Sequence, residues 1–430
     1  MNLPKKVHMV GIGGIGMSAL AQLYHTRGVA VSGSDRSASP VTELLKKKGI
    51  TVTIGHAAEN LPEDVDLLVY SDAVPEEDSE RTAAHDRGIS EQSYFEALGD
   101  VSRGEYTIAV AGSHGKTTTT AMLAKMLSDA GRNPTVVVGS LVKDFDSNFV
   151  PGTGELGSPF VVEACEYRDH MLKLAPHILV VTNLEWEHTD YFTTFEQLKQ
   201  SFRTAVERLP ADGALIVNLK SEVGAELADH APCRVIDYSD VIPPKLALLG
   251  DFNVANAQAA IAAAKAFASS LDEDALYESV ATFQGSWRRF EHKGAAPGGA
   301  AIYDDYAHHP TEIRVTLEAV RKKFPDTQIV VAFHPHLYTR TRDFMEQFTE
   351  AFTAADRVLI APIFPAREAP IEGVTSAVLA EKITAAGTQA EPYESLEDIE
   401  SALRTLDTPD TLILTMGAGD IYKIADALVK

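Results

Sequence analysis

The chain has 430 residues, with 38 Lys and Arg against 61 Asp and Glu, giving a formal net charge of −23 at pH 7. That length exceeds one ordinary core and predicts two or three domains. The acidic balance excludes a nucleic-acid partner, whose phosphates demand a basic surface. Two cysteines, Cys165 and Cys233, exclude a disulfide framework and fit no metal spacing.

No apolar run reaches the ~18 residues of a membrane span. The opening MNLPKKVHMVGIGG lacks the long apolar core and cleavage site of a signal peptide, so it reads as a first strand and predicts a cytoplasmic protein. VHMVGIGGIG is a strand and tight turn, MSALAQLYHTRG a helix stopped at Gly28, and VAVSGSD and DLLVYSDAV further strands. This βαβ order predicts a parallel, Rossmann-like sheet over residues 1–102. GIGGIG (11–16) followed by Asp35 at a strand end fits a turn that rests a diphosphate on a helix N-terminus. By itself it fits an NAD-dependent oxidoreductase equally well.

Residues 103–292 form the second segment. TIAVAG is a strand and TTTTAMLAKMLSDAG a helix, and between them lies GSHGKT. Its residues Gly112, Ser113, His114 and Gly115 let the backbone curl its N–H groups toward an anion. Lys116 adds a point charge, and Thr117 and Thr118 bring hydroxyls to the helix start, with Thr117 placed to ligate Mg²⁺. The longer Walker pattern is not met, because Val110 stands where its first glycine belongs. A strongly acidic chain that binds phosphates needs such backbone donors, local cations and a metal ion. PFVVE ends at Glu163 and HILVVTN at Asn183, with His188 shortly after, so all three reach the carboxyl edge of a parallel sheet, where Mg²⁺ would sit. Cys165 reads as a packed thiol. NVANAQAAIAAAKAFA has high helix propensity.

The third segment, 293–430, begins with KGAAPGGA, a linker or loose hairpin turn, and again alternates strands with helices. YDDYAHHPTE places Asp304 and Asp305 at a strand end, before His308, His309 and a helix-starting Pro310. Adjacent histidines rarely face one metal, which argues against zinc. FHPHLYTRTR brings Arg340 and Arg342 to another strand end, where they could neutralise a transferred phosphate. The expected fold class is therefore α/β in three domains: Rossmann-like, central phosphate-loop ATPase with a parallel sheet, and Rossmann-like.

Taken in order, GIGGIGMSALA, GSHGKTTTT, DDYAHHPTEI, HLYTRTRDF and GAGDI resemble the Mur ligases across nearly the whole chain. The resemblance implies an ATP- and Mg²⁺-dependent ligase that forms the amide between UDP-N-acetylmuramate and L-alanine through an acyl phosphate, in peptidoglycan precursor synthesis. It implies a monomer or weak homodimer. It assigns UDP-sugar binding to Gly13, Gly14, Ile15, Gly16, Met17, Asp35, His56 and Ser71, with Asn183 and His188 also on the substrate side. ATP falls to Gly112–Thr118, with Asn253 and Asn256 on the adenine side, and to Arg289 and Asp305. Glu163 and His188 join Thr117 as magnesium ligands, and His336 and Arg340 lie near the reacting carboxyl. The sequence departs from the family in four places: EACEYR stands for EADESD, Phe252 for a histidine and Leu337 for an arginine, and a strand-rich stretch is mostly lost, leaving VIPPKLALL before Gly250. EACEYR resembles the relatives that attach a whole tripeptide. The departures together leave a non-catalytic nucleotide-binding relative as a further alternative.

Overall fold

The computed structural model describes residues 3–154, 157–366 and 368–430. It divides into two compact units, one of Met1–Glu185, Glu196–Leu246 and Ala255–Gln284, the other of Trp186–Phe195, Ala247–Val254 and Gly285–Lys430.

The first unit contains two sheets. β1 (Lys6–Val10), β2 (Ala30–Asp35), β3 (Thr51–Ile54), β4 (Leu67–Tyr70) and β5 (Ser90–Ser93) pair in parallel in the order β3-β2-β1-β4-β5. The strand order reverses between β1 and β4, which opens a crevice at their carboxyl ends. The second sheet uses β6 (Tyr106–Ala111), β7 (Thr135–Val142), β8 (Ser147–Val150), β9 (Pro159–Glu163), β10 (Ile178–Val181), β11 (Ala214–Val217) and β12 (Arg234–Asp237). Its order is β12-β11-β10-β6-β9-β7-β8, with only β8 antiparallel among the described strands. β6, β9 and β10 are almost wholly apolar and buried, as parallel strands covered on both faces must be. Because β6 lies between β9 and β10, the loop after β6 is flanked by both neighbouring strand ends.

Asn148 on β8 joins the two sheets. Its Nδ2 donates to the Ser18 hydroxyl at 3.0 Å, and its Oδ1 accepts from Gln22 Nε2 at 3.2 Å, both on the helix Ile15–Thr26. All three side chains are buried, so losing one partner would leave the others' polar atoms without these bonds.

The second unit carries β13 (Glu291–Ala295), β14 (Ala301–Asp305), β15 (Gln328–Phe333), β16 (Arg357–Ile360), β17 (Gln389–Pro392) and β18 (Thr411–Met416), in the order β13-β14-β18-β15-β16-β17. KGAAPGGA is the turn of the antiparallel β13–β14 hairpin. Side chains alternate across this sheet. Ile329, Val331 and Phe333 pack with Leu412 and Leu414 on one face, while Val330 and Ala332 pack with Ile413 on the other. No helix among the described residues is long and apolar enough to cross a membrane.

Candidate active site

Ser113 N donates to Asn183 O at 3.1 Å, so the loop after β6 is fixed to the end of β10. Asn183 grips it twice more: Oδ1 accepts His114 N at 3.0 Å, and Nδ2 donates to His114 O at 2.9 Å. The helix Lys116–Asp129 starts at Gly115, whose φ of +82° is left-handed and where a Cβ would lie 2.2 Å from Asn256 Oδ1. Only glycine meets both demands. The buried Asn256 therefore stands against the phosphate loop. Thr118 is buried in the first helical turn.

Lys116 Nζ donates to Ser113 O at 3.0 Å and pairs with the fully buried Glu166. Glu163, at the end of β9, accepts the Thr117 hydroxyl at 3.0 Å on Oε1 and Gly139 N at 2.8 Å on Oε2. A Cβ on residue 139 would meet Glu163 Oε2 at 2.6 Å, so a side chain there would push the carboxylate from its present place. A hydroxyl and a carboxylate 3.0 Å apart beside a phosphate loop are hard oxygen donors that suit Mg²⁺. Burial pushes the Cys165 thiol up to about 12, consistent with a packed, unreactive group.

In the first sheet, the turn after β1 leads into the helix Ile15–Thr26, capped at Gly14 with no side-chain acceptor. The N–H groups of Ile15 and Gly16 in that first turn suit an anion. Asp35 closes the turn, accepting Gly13 N at 2.8 Å and Ser37 N at 3.2 Å. Met17 is buried, which restricts it to a backbone contribution. Ser71 follows β4 beside Gly11, and His56 Nδ1 lies 2.6 Å from Asp78 Oδ2. Asp35, His56 and Ser71 thus all lie at the carboxyl edge of this sheet.

A second charged cluster lies in the other unit. Arg340 is buried, with Nη1 3.2 Å from His336 Nδ1 and Nη2 3.3 Å from Glu187 Oε1. His308 Nε2 lies 3.6 Å from the same Glu187 oxygen. The two adjacent histidines diverge, because His309 caps the helix Pro310–Lys323 through Thr311 N. His188, in the left-handed region at φ +52°, closes a turn whose carbonyl accepts Tyr191 N and Phe192 N. Asp304 is engaged structurally, bound to Arg288 at 2.8 Å. Asp305 accepts Ala307 N at 2.7 Å and Phe290 N at 2.6 Å, and burial, partly offset by Arg289, pushes its carboxyl up to about 6. Arg289 lies over the Tyr306 ring at 5.2 Å. Asn253 Nδ2 donates to Leu249 O, and Phe252 lines a cavity of about 510 Å³ with Leu248, Val315 and Lys322.

The sequence reading did not single out Glu166 or Glu187. Glu166 had a local signal, being a second carboxylate three residues beyond Glu163 in EACEYR. Glu187 had none, since its partners are about 120 to 150 residues away in the chain.

A phosphate loop after a central parallel strand, with a carboxylate beside its threonine, defines the class of nucleotide-triphosphate-using α/β enzymes. The described family domains narrow it. "Mur ligase family, catalytic domain" matches residues 6–106, "Mur ligase middle domain" 110–243, and "Mur ligase, glutamate ligase domain" 288–419. The chain belongs to the Mur ligase family and is an ATP-dependent ligase of peptidoglycan precursor synthesis. It is 37% identical to the UDP-N-acetylmuramate–L-alanine ligase of Clostridium tetani, covering 99% of this chain and 98% of the relative. It is 38% identical to that of Salinibacter ruber, covering 99% and 94%. The solved UDP-N-acetylmuramate–alanine ligase of Thermotoga maritima superposes with a TM-score of 0.81 at 26% identity, covering 99% of this chain and 98% of that one. A murein peptide ligase from Psychrobacter arcticus shares the fold, with a TM-score of 0.73, 24% identity and coverage of 99% and 98%.

Proposed function

We propose that this chain joins L-alanine to UDP-N-acetylmuramate. The observation that carries the reading is the Thr117–Glu163–Gly139 arrangement beside Lys116, in a chain resembling alanine-adding ligases over its full length. A carboxylate is a poor electrophile at neutral pH. Its oxygen therefore attacks the γ-phosphorus of ATP, the bond to the ADP oxygen breaks, and an acyl phosphate forms. The L-alanine nitrogen then attacks the acyl carbon, phosphate leaves with the bonding pair, and the nitrogen gives up its proton.

Catalysis is by positioning and charge neutralisation, so no enzyme nucleophile is required. Gly112, Ser113, His114, Gly115 and Thr118 shape the loop that holds the phosphates, and Lys116 balances their charge. Asn253, Asn256, Arg289 and Asp305 bind the rest of the nucleotide. Thr117, Glu163 and His188 would hold Mg²⁺, which would neutralise charge on the γ-phosphoryl group. Gly13 to Met17, Asp35, His56 and Ser71 bind the UDP-sugar, with Asn183 and His188 toward its acid end. His336 and Arg340 act at the reacting carboxyl. The protein works in the cytoplasm as a monomer or weak homodimer.

The test is ADP release with UDP-N-acetylmuramate and a panel of L-alanine, other amino acids and the murein tripeptide. L-alanine-dependent release is expected. Release with the tripeptide alone would replace this reading with peptide recycling, and no release with any acceptor would point to a non-catalytic relative.

A further inference from the structure

From the end of β9 onward the chain touches both sheets of the first unit. Glu163 meets Thr117, Glu166 meets Lys116, and seven residues beyond Glu163 the chain reaches the first sheet at His170. His170 Nε2 lies 2.7 Å from Asp72 Oδ2, on the residue that follows Ser71 at the end of β4. The imidazole stacks on Phe95 with ring centroids 3.6 Å apart and planes at 15°. Its Nδ1 is buried without a hydrogen-bond partner, so Nε2 is the only polar anchor of the ring. To bring His170 there, the backbone passes through two consecutive left-handed residues, Arg168 at φ +52° and Asp169 at φ +59°. Such strain persists only when the surroundings enforce it. The turn is held by contacts that include the Ser201 hydroxyl donated to Asp169 at 2.5 Å, Asp169 N donated to Glu166 O at 3.0 Å and Met171 N donated to Cys165 O at 2.7 Å.

We infer that Asp72 and His170 form a positioning pair. It fixes the β4 loop carrying Ser71 against the strand end carrying Glu163, so that a UDP-sugar held on the first sheet presents its acid toward the phosphate loop. The inference rests on the UDP-sugar reading above. The pair touches neither reacting atom. Its effect falls on sugar-nucleotide binding and alignment and leaves ATP affinity alone.

The experiment measures KM for UDP-N-acetylmuramate and for ATP, with calorimetric Kd values for the sugar nucleotide and ADP, in wild type, D72A, H170A, D72A/H170A, D72N and H170Q. Thermal midpoints accompany each variant. Either alanine variant should raise KM and Kd for the sugar nucleotide about tenfold with ATP constants within about twofold, and the double variant should be no worse than the singles. H170Q keeps a donor near the Nε2 position and should recover most of the loss. Unchanged sugar-nucleotide constants, losses that multiply in the double variant, or equal effects on ATP would overturn the pair. Where an alanine variant does not fold, D72N and H170Q carry the comparison. Wild type that binds the sugar nucleotide without using L-alanine would refute the acceptor assignment alone, and the binding constants would still judge the pair. Wild type that does not bind the sugar nucleotide would refute both.

Discussion

Lys116 Nζ lies 3.0 Å from both carboxylate oxygens of Glu166. The lysine of the loop is therefore neutralised by a fully buried acid just beyond the neighbouring strand end. Removing the ammonium alone takes away the cation that faces the buried Glu166 carboxylate, at a cost of about 3 kcal/mol. K116A should thus lower both thermal stability and turnover, the latter by roughly 10³-fold. K116A/E166Q should regain stability without regaining turnover, while UDP-sugar binding survives in both. Calorimetry and ADP release together check this, and recovery of activity in the double variant would deny Lys116 its catalytic part.

Glu163 shares its two oxygens between the Thr117 hydroxyl and Gly139 N. E163Q keeps the size of the side chain and removes the charge. The magnesium concentration for half-maximal rate should rise about tenfold or more. A magnesium titration with superimposable curves for wild type and variant would remove Glu163 from the metal site.

Gly115 is confined by its positive φ and by Asn256. G115A adds left-handed strain and a steric overlap, so the loop must shift. ADP binding should weaken on the order of tenfold or more, with UDP-sugar affinity unchanged. Equal loss of both ligands would show a global effect.

Glu80 contributes to acid stability. It is fully buried, and burial alone would raise its pKa. Hydrogen bonds from His8, Asn60, Ser34 and Ala57 N outweigh that and hold the carboxyl down at about 2. The unfolded chain takes up this proton near pH 4.5, the folded chain only near 2, so the stabilisation is complete above about 4.5 and lost as pH falls toward 2. It amounts to roughly 3 kcal/mol. The drop in unfolding free energy between pH 5 and 3 should shrink in E80Q, whose stability at pH 7 should already be lower. An unaltered acid limb would contradict the assignment.

Elements whose signal is local were legible in the sequence. The phosphate loop, Glu163 and the strand–helix alternation depend on short-range spacing and buried apolar runs, and they appear where expected. Asp35 was legible as a residue of the glycine turn, but the bond it makes was not: its carboxylate closes the turn on Gly13 N. The edge strands β3 and β5 are short and half exposed, with little periodicity to read. The Glu187–Arg340–His336–His308 cluster joins three distant stretches, and no spacing rule anticipates it.

Leu337, between His336 and the helix Tyr338–Asp343, has φ +72° and its N–H on Phe364 O at 2.9 Å. This bend, made by backbone alone, sets the direction from which His336 and Arg340 meet. The residue at position 337 must therefore tolerate an unusual torsion while filling a buried site. Glycine should relax the torsion while giving up the buried Leu337 side chain, and isoleucine or valine, stiff at χ1, should be refused, although both match leucine in greasiness.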